Sequence, residues 1–186
     1  MDRLTLYRDF LTVNKPFVAE NLKEKDYWAT PPEVVENIKK LTGINFDLDA
    51  CANAQNAKCE EFIGEEQDTL VTEWGRNRRV FMNPPYGNPL PFVVKAAREC
   101  YLRYNHVAVL LNADTSTRWF KVCEHFASKI YFITGGRIAF LDYRTGKRVK
   151  GNTKPQMIAV FYPPSDVRYN EKTLVGFIDI NYFNKN

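Results

Sequence analysis

The segment Asn83-Pro84-Pro85-Tyr86 follows an apolar run and has the most specific chemistry in the chain. Its prolines lack a backbone N–H and hold φ at about −65°, so the turn is stiff and presents mainly carbonyl acceptors. A residue before proline favours an extended backbone, which lets the Asn83 side-chain oxygen and the Pro84 carbonyl face one amino group. The Tyr86 ring offers a flat surface for a base. The pattern predicts a site that holds a planar amine against an electrophilic methyl carbon.

The same four residues also fit an ordinary turn with a packed tyrosine, because Asn-Pro and Pro-Pro are both common turn signals. The choice between these two interpretations depends on the neighbouring segments.

Acidic side chains follow other predicted strands of the same sheet. Asp47 and Asp49 end a predicted strand over 44–49, and Asp68 lies in the polar segment 66–70. In an open α/β sheet, ligands bind beyond the carboxyl ends of the strands. We therefore predict that Asp49 pairs with a cationic amino group and that Asp68 accepts from an adenine amine. Each acid alone is also typical of a helix cap or a turn.

Strands and helices alternate along the chain up to about residue 134. Thr30, Pro31 and Glu33 predict a capped helix start, and Gly43 predicts the end of that helix. The pattern favours a three-layer α/β sandwich with a mostly parallel sheet. A hairpin over 138–150 and a final strand over 174–180 are expected to form an antiparallel edge.

Composition places the chain among globular proteins. It has 186 residues, 45% of them hydrophobic, which predicts one domain over 1–186 with an extension at 1–25. No apolar run reaches the roughly 20 residues that span a bilayer, and the first residues do not resemble a signal peptide, so we expect a soluble, cytoplasmic protein. Four scattered cysteines and two histidines predict reduced thiols and no metal site.

The net charge is only +4, but the cations are clustered. The segment 135–155 contains one acid, Asp142, and these cations: Arg137, Arg144, Lys147, Arg148, Lys150 and Lys154. A second group, Arg76, Arg78 and Arg79, precedes the strand that leads to Asn83. Clustered cations beside a candidate site fit a phosphate backbone, although solvated loop charge is the ordinary alternative.

Five segments occur in an order that resembles the phage-type Dam family of adenine-specific DNA methyltransferases. They are Asp26-Tyr27-Trp28-Ala29-Thr30-Pro31, Phe46-Asp47-Leu48-Asp49-Ala50-Cys51-Ala52, Asn56-Ala57-Lys58-Cys59, Gln67-Asp68-Thr69-Leu70 and Asn83-Pro84-Pro85-Tyr86-Gly87. The resemblance spans about residues 26–162. It implies a Rossmann-like methyltransferase fold, S-adenosylmethionine as cofactor, DNA as partner, and the cytoplasm of a bacterium or a phage-infected host as location.

The resemblance also implies roles for individual residues. The residues 83–86 match the catalytic motif of the family. The residues that match its cofactor segments are Trp28, Thr30, Pro31, Phe46, Asp47, Asp49, Ala50 and Asp68. The residues expected on the target side, by family position or by charge, are Asn112, Thr115, Arg137, Arg144, Lys147, Arg148 and Lys154.

Two features depart from the family pattern. Ala50, Cys51 and Ala52 replace the glycines of the common cofactor fingerprint, and only Glu60 and Glu61 are candidates for a ribose-binding acid.

The residues also leave two other functions open. One is methylation of a different planar amine, in RNA adenine or in protein glutamine. The other is a catalytically silent module that binds nucleic acid.

Overall fold

The computed structural model describes residues 28–184, so the extension predicted at 1–25 lies outside the described part. The strands are β1 (Trp28–Ala29), β2 (Leu48–Asp49), β3 (Glu61–Phe62), β4 (Arg79–Met82), β5 (His106–Asn112), β6 (Lys129–Thr134), β7 (Leu141–Asp142), β8 (Lys147–Arg148), β9 (Gln156–Phe161) and β10 (Leu174–Asp179). The helices are α1 (Pro32–Thr42), α2 (Leu90–Arg103), α3 (Arg118–Phe126) and α4 (Asn181–Asn184). A 3₁₀ turn covers Glu65–Gln67.

A seven-stranded sheet in the order β10-β6-β9-β5-β4-β2-β3 forms the centre of the fold. Only β9 runs against its neighbours, and it pairs antiparallel with both β5 and β6. The other pairs, β10 with β6, β5 with β4, β4 with β2, and β2 with β3, are parallel. The sequence prediction of a mostly parallel sheet is therefore confirmed. The final strand, however, is parallel to β6, and the antiparallel strand of this sheet lies inside it.

Helices cover both faces of the sheet and give three layers. On one face, α2 and α3 bury an apolar cluster that includes Phe92, Val109 and Trp119. On the other face, α1 and α4 pack on a second cluster that includes Ile38 and Leu110. Burial on both faces explains why the central strands β5 and β9 are almost continuously apolar.

A second, three-stranded sheet in the order β1-β7-β8 attaches the basic segment 135–155 to the residues that precede α1. Trp28 pairs with Asp142, and the β7–β8 hairpin that the sequence predicts is present. The ion pair between Glu33 of α1 and Arg148 of β8, at 2.6 Å, joins the same two parts of the chain.

The predicted cap of α1 is wrong at its first turn. Pro31 is the N-cap, Pro32 occupies the first helical position, and no side chain caps the helix. Glu33 pairs with Arg148 instead of closing a capping box. The helix ends as predicted at Gly43, whose φ of 66° is readily adopted only by a residue without Cβ.

Within residues 28–184, no helix is long and apolar enough to cross a membrane. The four cysteines are free thiols, and two of them, Cys100 and Cys123, are buried in the core.

Candidate active site

The topology predicts a ligand crevice at the carboxyl ends of β2 and β4. The next strands after β2, which are β3 and β4, lie on opposite sides of it, so the strand order reverses there. Such a reversal is where open α/β sheets bind ligands. Asp49 at the end of β2 pairs with Phe81, and the Ala50 N–H donates to the Phe81 carbonyl at 2.9 Å. Asn83 follows two residues after Phe81, so Asp49 and Asn83 reach the same edge of the sheet.

The turn after β4 is closed by one side-chain hydrogen bond. The Tyr86 hydroxyl donates to Asn83 Oδ1 at 2.8 Å. Burial raises the pKa of Tyr86 above its usual range, so this hydroxyl stays protonated and remains a donor. A carboxamide oxygen has two lone pairs. Tyr86 therefore fixes the orientation of Asn83 and leaves its oxygen able to accept a second hydrogen bond.

Phe140 connects this turn to the segments around it, although no sequence pattern marks this residue. The Phe140 ring stacks on Trp28 with centroids 5.9 Å apart and meets the Tyr86 ring edge-on at 6.2 Å. Phe140 belongs to the basic segment 135–155 and is buried. An apolar residue in that segment looks like any core position, so nothing in the sequence distinguishes it. The contact joins the basic segment, the Trp28 strand and the turn after β4.

Thr30 carries a buried polar atom without a partner. Its side chain is 2% exposed, and within the described residues its Oγ1 makes no hydrogen bond. Buried hydroxyl groups in folded proteins nearly always have a hydrogen-bond partner. Since Thr30 lies between Trp28 and the start of α1, its hydroxyl is suited to contact a ligand in the crevice.

Asp49 braces the loop that follows β2. Its Oδ1 accepts from the Cys51 N–H at 3.3 Å, and its Oδ2 accepts from the Lys58 N–H at 3.0 Å. Burial raises the pKa of Asp49 to about 6, although the two backbone hydrogen bonds favour the ionised form. The carboxylate thus holds both ends of loop 51–58 while it adds negative charge to the crevice.

Asp68 lies in a turn beyond β3 and not at a strand end as predicted. It ends the 3₁₀ turn with φ 50° and ψ 100°, a conformation that non-glycine residues rarely adopt. Its Oδ1 accepts from the Leu70 N–H at 2.9 Å. Burial raises the pKa of Cys51 and the charges of Asp49 and Asp68 add to this shift, so both acids lie near the same thiol. Backbone strain of this kind is concentrated at functional sites.

The basic segment 135–155 is anchored over the carboxyl edge of the sheet by Gln156, which is 1% exposed. Gln156 Oε1 accepts from the Ile138 N–H at 3.2 Å, and its amide nitrogen donates to the side chain of Asn152 and the carbonyl of Lys154. Asn112 ends β5 opposite Gln156. The segment therefore lies beside the loop that follows β5, which contains Thr115.

The cations of the basic segment 135–155, which include the predicted target-side cations, divide into two groups. All of them are exposed, but Arg144 is held by Asp142 at 2.6 Å and Arg148 by Glu33 at 2.6 Å, so these two stabilise the hairpin. Among the described residues, no ion pair involves Arg137, Lys147, Lys150 or Lys154. These four cations are the ones available to an external anion.

Comparison with known proteins decides the family. The family model described as DNA N-6-adenine-methyltransferase (Dam) matches residues 19–176. This chain belongs to the Dam family. It is 45% identical over 140 residues to the DNA N-6-adenine-methyltransferase of Haemophilus phage HP1, covering 75% of this chain and 80% of that protein. It is also 37% identical over 150 residues to the DNA N-6-adenine-methyltransferase of Escherichia phage T1, covering 73% of this chain and 62% of that protein.

Two residues that match the cofactor segment of the Dam family lie on the other side of β2. The predicted strand covered residues 44–49, but β2 contains only Leu48 and Asp49. Phe46 and Asp47 therefore precede the strand. The Phe46 ring packs on Phe81 at 5.5 Å. The Asp47 carboxylate accepts from the Arg78 side chain and from both the backbone and the side chain of Arg79, each at 3.0 Å. These contacts give both residues a structural role, and their contact with the cofactor stays a prediction.

The basic group at 76–79 is also distant from the crevice. Arg79 begins β4, so the strand separates it from Asn83. Arg78 pairs with Asp47 and Glu61, and Arg76 lies over the Tyr104 ring at 5.6 Å. These contacts hold Arg76 and Arg78 on the surface of the protein. The contact with Arg78 also engages Glu61, one of the candidate ribose-binding acids. Within the described part of the chain, no cluster of His, Cys, Asp and Glu is arranged to bind a metal ion.

The structural role of Asp47 predicts a difference between two carboxylate deletions. Although burial opposes its ionisation, hydrogen bonds from Arg79 and Arg78 lower the pKa of Asp47. We expect Asp47→Ala to reduce the free energy of unfolding by about 2 kcal/mol, because Arg78 and Arg79 lose their shared acceptor. Glu61→Ala removes a more exposed partner of Arg78 and should cost less than about 1 kcal/mol. Urea denaturation measures both losses of unfolding free energy. Equal losses in the two variants would contradict the structural role of Asp47.

Proposed function

We propose that this chain transfers a methyl group from S-adenosylmethionine to the exocyclic amine of adenine in DNA. The observation that carries the proposal is the position of Asn83, which reaches the crevice beside Asp49 with one acceptor site unused by Tyr86. Membership of the Dam family supports the reaction class, and both phage relatives carry the corresponding name. The match covers 62% of the T1 protein, and the proposal rests on residues of this chain alone.

The crevice has polar groups suited to S-adenosylmethionine. Asp49 would supply a buried negative charge for its cationic amino group. The Thr30 hydroxyl, which has no hydrogen-bond partner among the described residues, would supply a hydrogen bond near Trp28 and Pro31. Asp68 would accept from the adenine amine of the cofactor. Ala50 is completely buried at the end of β2, and its small side chain allows the backbone to approach the ligand closely.

When bound, S-adenosylmethionine supplies a methyl carbon that its sulfonium already activates, so the protein must mainly position the attacking nitrogen. Positioning alone can contribute roughly 7–11 kcal/mol to lowering the barrier. In our proposal, Asn83 Oδ1 and the Pro84 carbonyl accept hydrogen bonds from the two hydrogens of the adenine amine. This arrangement favours a tetrahedral nitrogen and points its lone pair at the methyl carbon. No strong general base is required, because the proton can leave after transfer.

The target adenine must leave the duplex, since its amine cannot reach a crevice while the base is stacked. Tyr86 would replace the lost stacking, and Pro85 would keep the turn rigid while the base enters. The cations Arg137, Lys147, Lys150 and Lys154 would hold phosphates of the DNA backbone, with Asn112 and Thr115 beside the target base. The connection through Phe140 makes the position of Tyr86 depend on the docking of the basic segment.

Replacing Asn83 tests the proposal directly. We expect Asn83→Ala to reduce the turnover number by about 100-fold or more, because the amine loses a placed acceptor, while S-adenosylmethionine still binds. The assay is transfer of labelled methyl to DNA, RNA and protein, followed by nucleoside analysis for N6-methyladenine. Asn88→Ala makes the same change at an exposed position nearby and should retain activity. Wild-type turnover by Asn83→Ala, or transfer to RNA or protein in place of DNA, would overturn the proposal.

Two changes at Tyr86 separate stacking from hydrogen bonding. Tyr86→Phe removes the hydroxyl that orients Asn83 and should reduce turnover by up to about tenfold, the size of one neutral hydrogen bond. Tyr86→Ala also removes the ring, whose stacking on a base contributes a further 1–3 kcal/mol or so. Single-turnover rates with adenine-containing duplexes measure both effects. Equal losses would exclude a stacking role for the ring.

The shifted pKa of Asp49 predicts a pH dependence of cofactor binding. A cationic ligand binds the ionised carboxylate, so affinity for S-adenosylmethionine should be constant above about pH 6 and fall by up to tenfold or so per pH unit below it. Asp49→Asn cannot change its charge and should bind weakly with a flatter profile. Calorimetric titration between about pH 5 and 7.5 measures both profiles. A wild-type affinity that does not change over this pH range would contradict the pairing of Asp49 with the amino group of S-adenosylmethionine.

A further inference from the structure

The two outer strands of the main sheet differ in how their free edges are protected. β3 has two residues, and its Glu61 is 63% exposed and paired with Arg78. A short, charged edge of this kind resists pairing with another chain. β10 has six residues, Leu174–Asp179, with no proline and no lysine. Among the described residues, no strand pairs with its outer side.

Three of the four exposed residues of β10 are apolar. Leu174, Val175 and Phe177 are 47%, 56% and 74% exposed. The Phe177 ring stacks on Phe132, with centroids 5.9 Å apart, so it continues the apolar face that α3 covers. An apolar edge strand whose single charge, Asp179, lies at its last position is a site where a further strand adds to a sheet.

We propose that β10 pairs antiparallel with β10 of a second copy of this chain, about a two-fold axis at Gly176. The N–H groups of Leu174 and Ile180 donate inward, to Ser128 at 3.0 Å and to Thr134 at 2.9 Å. Alternate residues of a strand direct their backbone groups to opposite sides, so the N–H and C=O groups of Val175 and Phe177 point outward. In the proposed register, Val175 of one copy lies opposite Phe177 of the other, and each such pair exchanges two hydrogen bonds.

The side chains of β10 are complementary to themselves in this register. Val175 and Phe177 share one face of the sheet, and a β-branched residue opposite an aromatic one is a favourable cross-strand pair. Leu174 falls opposite Ile178 on the other face. At each end of the paired strands, Thr173 of one copy lies opposite Asp179 of the other, so no like charges face each other. An in-register parallel pairing would place the two Asp179 side chains next to each other instead.

The two-fold axis directs the carboxyl ends of the two sheets in opposite directions, so each catalytic crevice remains separate. Dimer formation is therefore independent of the proposed methyl transfer, and its loss should leave activity per subunit unchanged. This independence distinguishes failure of the dimer proposal from failure of the proposed function.

Sedimentation equilibrium over a wide concentration range tests the proposal with a matched pair of variants. Val175→Lys and Val167→Lys make the same change, on β10 and at a fully exposed loop position respectively. Wild type and Val167→Lys should both approach twice the single-chain mass of 21.6 kDa. Val175→Lys and Phe177→Lys should raise the dissociation constant by about tenfold or more, because each change acts twice in the dimer. A monomeric wild type, or dimers that persist in both β10 variants, would overturn the proposal.

Amide hydrogen exchange provides a second measurement, which depends on the register. In the wild-type dimer, the outward amides of Val175 and Phe177 should be protected, and in Phe177→Lys the Val175 amide should exchange at least about tenfold faster. Val167→Lys should retain the wild-type protection. This measurement is made on the wild-type protein at concentrations where its mass is doubled. If both amides then exchange as fast as those of exposed loop residues, β10 is excluded as the interface.

Discussion

The hydrogen bond from the Tyr86 hydroxyl to Asn83 Oδ1 links the parts of the site. Asn83 follows a strand buried on both faces, and the two prolines after it restrict the backbone, so the side-chain amide is the main part of this turn that can still rotate. Tyr86 fixes that rotation, and Phe140 in turn packs against Tyr86. The direction of the Asn83 oxygen therefore depends on contacts that reach the basic segment 135–155 and the Trp28 strand.

Asp49 explains how the crevice forms without the glycines of the common cofactor fingerprint. In place of a tight glycine turn, a buried carboxylate accepts the N–H groups of Cys51 and Lys58 and so closes loop 51–58. The same burial raises the pKa of Asp49 to about 6. A cation bound next to this carboxylate would offset the cost of keeping a buried charge, so loop closure and affinity for a cationic ligand have the same physical origin.

Patterns of hydrophobicity predicted most of the fold, because central strands such as β5 and helices such as α2 bury apolar residues at regular spacing. The turn at Asn83 was also recognisable, since proline restricts the backbone locally. Sequence could not reveal that Asp47 pairs with Arg78 and Arg79 whereas Asp49 holds loop 51–58, because these contacts depend on how the segments pack. It also could not reveal Phe140, whose role depends on contacts between distant segments. The partners of Arg78 likewise depend on which strands are neighbours.

A structure of this protein with a non-reactive S-adenosylmethionine analogue and adenine-containing duplex DNA would show whether Asn83 and Pro84 hold the amine of an extruded adenine. We expect an extruded adenine whose amine nitrogen lies about 3 Å from both Asn83 Oδ1 and the Pro84 carbonyl oxygen, with the cofactor amino group beside Asp49. An adenine that remains stacked in the duplex, or a cofactor bound away from the ends of β2 and β4, would contradict this expectation.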